Sequence, residues 1–162
     1  MAAVETPIIS TFDVLENASG SAVRLAESRP YILSVSEAQA DHIALRHIVA
    51  KTEWRVDVAY TVTQAVEKLR CISAVVIFSE CLLPDGTWKD VLDLTLQLDR
   101  PPLLVVTSTL ADDLLWSEVL NLGGYDVLLK PLSEEEVRRL LVSVWTHHAH
   151  TRPYGRALPA AS

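Results

Sequence analysis

Four stretches of the chain place reactive groups directly behind short apolar runs. Ser36-Glu37 follows Tyr31–Val35, and Ser79-Glu80 follows Ala74–Phe78. Thr107-Ser108 follows Pro102–Val106, and Lys130-Pro131 follows Asp126–Leu129. On neighbouring strands of one sheet, these carboxylates, hydroxyls and single ammonium converge on one edge. Such a set binds ions and forms ion pairs, and Glu80 with Lys130 is the expected pair. No Ser-His-Asp set or G-x-S-x-G elbow is present for acyl transfer. The SEAQAD segment after Val35 has no glycine and carries acid, which disfavours a phosphate cradle of the flavin-binding kind.

Other reactive residues read as structural. Cys81, beside Glu80, reads as a small apolar filler. His147, His148 and His150 stand at a helix end and tail, without the geometry a metal site needs. His42 and His47 are expected on a solvated or half-buried helix face, and Asp85-Gly86 marks a turn. Trp54, Trp88, Trp116 and Trp145 are scattered, and burial is the expectation for them.

The elements that position these groups alternate regularly. Strands are predicted at Tyr31–Val35, Arg55–Ala59, Ala74–Phe78, Pro102–Val106 and Asp126–Leu129. Helical spacing of apolar residues predicts helices at Ala38–Ala50 (stripe Ile43, Ala44, His47, Ile48), Thr61–Arg70 and Trp88–Leu98. Two more follow at Asp112–Leu122 and from Ser133 to about Trp145. Thr61 is a candidate N-cap, Gly123-Gly124 a C-terminal stop, and Ser133 with Glu136 a capping box. Continuously apolar strands joined by crossover helices make an open, doubly wound α/β sheet. Five units in this length suit the flavodoxin-like (βα)5 fold, with strand order 2-1-3-4-5 and ligands beyond the carboxyl ends of the strands.

Residues 1–29 read as an N-terminal extension, with a helix at Thr11–Asn17, 30–147 as the domain and 148–162 as a tail. The 162 residues are one domain's worth of chain, and a net charge of −7 excludes a general nucleic-acid binder. Two cysteines are too few for a secreted disulfide scaffold. With no secretory signal and no membrane-length apolar stretch, a cytoplasmic protein is expected.

Over about residues 31–147 the chain resembles the receiver domain of two-component response regulators. The resemblance rests on five features in order. These are the acidic spot after strand one, a carboxylate four residues before Pro84, the LLPDG segment, Thr107, and LLKP after LGGYD. In that family an aspartate after strand three accepts a phosphoryl group. Two acids after strand one help it hold Mg²⁺, a hydroxyl and a lysine grip the phosphoryl oxygens, and an aromatic on strand five responds. The resemblance places the phosphoacceptor at Glu80, the acid pair at Ser36 and Glu37, the hydroxyl at Thr107, the lysine at Lys130 and the switch aromatic at Val127.

Three of these positions depart from the pattern. Glu80 replaces aspartate, Ser36 replaces an acid and Val127 replaces the aromatic. Glutamate is one methylene longer, so its carboxylate reaches toward the phosphoryl position, as a partial standing mimic or as a plain structural ion pair. Mg²⁺ is left with Glu37 and Glu80 as weak carboxylate ligands, and no resident metal or cofactor is expected. The expected function is a stand-alone pseudo-receiver, not an enzyme, acting through signalling proteins such as a histidine kinase or a downstream regulator. A homodimer through residues 112–145 is one form of contact, with Arg138 or Arg139 opposite Asp112, Asp113 or Glu118. The alternatives are a working phosphoacceptor and a small flavodoxin-shaped ligand-binding protein.

Overall fold

The computed structural model describes residues 29–151. The helix expected at Thr11–Asn17 lies outside the described residues. The strands are β1 (Tyr31–Val35), β2 (Arg55–Ala59), β3 (Ala74–Glu80), β4 (Leu82–Leu83), β5 (Gly86–Thr87), β6 (Leu103–Ser108) and β7 (Asp126–Leu129). The helices are α1 (Gln39–Val49), α2 (Val62–Cys71), α3 (Trp88–Leu96), α4 (Asp113–Leu122) and α5 (Glu134–Thr151). Five strands form one sheet in the order β2-β1-β3-β6-β7, and every pairing is parallel. With the two-residue β4–β5 hairpin set aside, that is the flavodoxin-like order 2-1-3-4-5.

Strand alternation builds a core on each face. Ile32, Val76, Phe78 and Val105 pack with Leu45, Ile48 and Val49 of α1 and with Val137, Leu140, Leu141 and Val144 of α5. Leu33, Val35, Ile77, Leu104 and Val106 point the other way. They pack with Ala65 of α2, Trp88, Val91 and Leu92 of α3, and Val119 of α4. Both faces are covered, which is why β3 and β6 read as unbroken apolar runs.

The α1 stripe differs from the sequence reading. Its buried residues are His42, Leu45, Ile48 and Val49, while Ile43 is 60% exposed. Burial of His42 shifts the phase. Its ring nitrogens lie 2.7 Å from Ser34 Oγ and 3.0 Å from the Ser36 carbonyl oxygen, so a polar side chain sits in the core with both nitrogens partnered. His47 is exposed.

Helix ends follow local chemistry. Thr61 Oγ1 accepts from the Gln64 N–H, and Asp112 Oδ1 accepts from the Leu115 N–H. Gly123 closes α4 at φ 104°, a conformation that favours glycine, and the Gly124 N–H donates to the Val119 carbonyl. A reciprocal capping box opens α3, between Thr87 and Asp90, and the sequence reading had not found it. At Ser133 the side chain accepts from the Glu136 N–H at a long 3.4 Å. Helix α5 runs six residues beyond Trp145, so residues 148–151 are helix and not tail. Trp88 is buried and Trp54 half-buried, but Trp116 and Trp145 are 50% and 45% exposed. Trp145 meets Trp54 edge-on and stacks on His148.

At the N-terminal edge of the sheet lies an open cleft of about 690 Å³, whose walls include Tyr31, Cys71, Arg100 and Trp145. Both ends of the described chain, Arg29 and Thr151, also line it. No described helix is long and apolar enough to cross a membrane.

Candidate functional site

The carboxyl edge of the sheet gathers most of the residues that the sequence singled out. Glu80 is the last residue of β3, Thr107 is its register partner on β6, and Lys130 follows β7. Ser36 follows β1, where its N–H still donates to the Ala59 carbonyl. Parallel order alone therefore brings Ser36, Glu80, Thr107 and Lys130 to one edge. Thr107 is buried, and its carbonyl accepts from the Cys81 N–H.

Lys130 Nζ donates to Glu80 Oε1 at 2.7 Å. It also donates to Asp41 Oδ2 at 2.8 Å, from the first turn of α1. The lysine side chain retains only 11% of its exposure, against 21% for Asp41 and 23% for Glu80. Burial works to lower the Lys130 pKa. The hydrogen bonds and charges of Asp41 and Glu80 outweigh it, and the net shift is upward. The ammonium is therefore firmly charged.

Ser36 occupies the middle of the cluster, buried to 2% exposure. Its Oγ stands 2.6 Å from Asp41 Oδ2 and 2.9 Å from Glu80 Oε2, and it accepts from the Ala38 N–H. Glu37 takes part through its backbone N–H, 3.3 Å from Glu80 Oε2, while its side chain is exposed. The carboxylate that the acid pair was expected to supply thus comes from Asp41. The sequence reading missed it, because the residue stands inside a helix, five positions beyond Ser36. Its one visible signal is an acid in the first helical turn, where the helix dipole favours negative charge.

Beneath the cluster lies His42, bonded to Ser34 and to the Ser36 carbonyl. Burial holds its pKa below the ordinary value, against the smaller upward pulls of the Ser36 carbonyl, Asp41 and Glu80. The Cys81 thiol is pushed up by burial first and by Glu118 and Glu80 next. A thiol held up in this way is a poor nucleophile. Val127 is half-buried and packs against the α2–α4 core.

Asp85 serves structure. Its carboxylate accepts from the Val62 and Thr63 N–H groups and from the Thr63 hydroxyl, which ties the β4–β5 turn to the start of α2. The Thr63 backbone bond is the main cause of its lowered pKa.

Mg²⁺ needs six oxygens near 2.0–2.1 Å. Here Asp41 Oδ2 faces Lys130 and Ser36, Glu80 Oε1 faces Lys130, and Glu80 Oε2 faces Ser36 and the Glu37 N–H. Glu37 turns its side chain outward, and no group of three His, Cys, Asp or Glu side chains suits a metal among the described residues. The residues present do not fit the ion while Lys130 holds both carboxylates.

No family model matches the chain. It is 31% identical over 118 residues to the aerobic respiration control sensor protein ArcB of Escherichia coli K12, and equally to that of Shigella flexneri. The match covers 70% of this chain and spans 15% of the length of those relatives. Among solved structures, a two-component response regulator from Clostridium difficile superposes with a TM-score of 0.67 at 22% identity, covering 74% of this chain and 98% of that one. The signal receiver domain of a Luxo repressor protein from Vibrio parahaemolyticus gives 0.71 at 20% identity, covering 76% and 95%. With its parallel sheet in this order and five flanking helices, the chain carries the receiver-domain fold of two-component response regulators.

Proposed function

We propose that this receiver-fold chain is a pseudo-receiver, a two-component signalling module that acts by binding partner proteins and not by accepting a phosphoryl group. The observation that carries the reading is the 2.7 Å bond from Lys130 to Glu80. In the resembling family that lysine grips a phosphoryl oxygen. Here the longer carboxylate itself occupies the lysine, with one negative charge against the roughly −1.5 to −2 of a phosphate monoester. Val127 offers no aromatic ring to swing. Its partners are proteins of a phosphorelay, a histidine kinase or a downstream regulator.

Incubation with acetyl phosphate and Mg²⁺, followed by intact mass, tests this. The expected result is no phosphoryl adduct on the wild type. An adduct mapped to Glu80 or a neighbouring side chain would replace this reading with that of a working phosphoacceptor.

A further inference from the structure

Two carboxylates and one ammonium make up the charged part of the site, and their positions in the chain are unequal. Glu80 and Lys130 stand at strand ends, whereas Asp41 reaches in from α1. We propose that Asp41 is the pocket's second carboxylate, displaced from the strand end onto α1, and that with Glu80 it makes the Lys130 ammonium the pocket's resident cation. The geometry that carries this is the pair of short bonds, 2.7 and 2.8 Å, from one nitrogen to carboxylates 39 positions apart in sequence (80 − 41). Ser36 supports it from the other side, touching both carboxylates from a buried position.

Charge explains why the cation matters. Two carboxylates that share a hydroxyl repel each other, and burial weakens the screening that water would provide. One positive charge within bonding distance of both relieves that repulsion. A divalent ion entering the pocket would meet the ammonium at the oxygens it needs. The role assigned to Asp41 is positioning, and it deepens the reading of the site given above because it rests on the same Glu80–Lys130 pair.

The test uses Mn²⁺ as the probe, followed by electron paramagnetic resonance on the full chain. The wild type is expected to bind no Mn²⁺ in the micromolar range. Lys130→Gln, which leaves Asp41 and Glu80 facing one another, is expected to bind at least about tenfold more tightly than wild type. The double variant Lys130→Gln/Asp41→Asn should lose that gain. Micromolar binding by the wild type, or no gain in a folded Lys130→Gln, overturns the proposal.

A second measurement covers the case in which Lys130→Gln does not fold. The Lys130 ammonium should give a protected ¹⁵N–¹H signal, assigned by its disappearance in Lys130→Arg. That signal should shift or vanish in Asp41→Asn, and an unchanged signal removes Asp41 from the role. Neither readout involves phosphoryl transfer or partner binding, so their failure is distinct from failure of the pseudo-receiver reading.

Discussion

His42 shows what one buried side chain does to the domain's response to acid. Its ring is bonded at both nitrogens beneath the site, and burial holds its folded pKa below 6.5. Below pH 6.5 the unfolded chain takes up a proton that the folded chain resists, so unfolding gains protons and stability falls. The contribution is complete above that pH and is lost as the pH drops through the lowered folded value. Urea unfolding from about pH 7.5 to 5.5 should therefore show a steeper loss of stability for wild type than for His42→Gln. Parallel slopes would assign the acid sensitivity to the carboxylates instead. Glu80 and Lys130 were legible as a pair because both close strands that end at the same edge of a parallel sheet, one strand apart. His42 and Asp41 were not, because helix phase decides where they point, and a histidine counts as polar until its partners are known.

At the scale of elements, α1 gives the sharpest comparison. The apolar pattern Ile43, Ala44, His47 and Ile48 predicts one face, and the helix buries another through His42, Leu45, Ile48 and Val49. Leu45→Ala should cost about 2–5 kcal/mol, as a cavity in the α1–α5 core. Ile43→Ser, at an exposed position, should stay within about 0.5 kcal/mol. Thermal or urea unfolding of the two variants checks the phase directly, and reversed effects would restore the sequence-based face. The strands were the easiest elements to read, because burial on both faces leaves long apolar runs such as Ala74–Phe78. Caps were harder. Thr87 ends a short hairpin that no periodicity announces, with Asp90 three residues on, and Thr87→Ala should destabilise α3 by about 1 kcal/mol in the same measurement.

At the scale of the whole molecule, exposed leucines mark a face suited to contact with another protein. Leu110, Leu114 and Leu129 are 76%, 81% and 51% exposed near the carboxyl end of β6 and β7, where Ser108 and Leu129 are in register. Arg138 and Arg139 pair with Glu134 and Glu135 one turn back on α5. Any contact between copies through α4, β7 and α5 must then draw its burial from these leucines, with Trp116, more than from new ion pairs. Light scattering over a range of concentrations should show association of wild type that Leu114→Asp abolishes. Arg138→Glu/Arg139→Glu should weaken it less. A monomer at every concentration removes the homodimer and leaves the face to a different protein. The cleft at the opposite edge has a practical meaning for such work. Arg29 and Thr151 both line that cleft, at the opposite edge of the sheet from Glu80 and Lys130. A dye coupled to a cysteine placed at either position sits on the side of the sheet away from the charged edge, which stays clear for a partner.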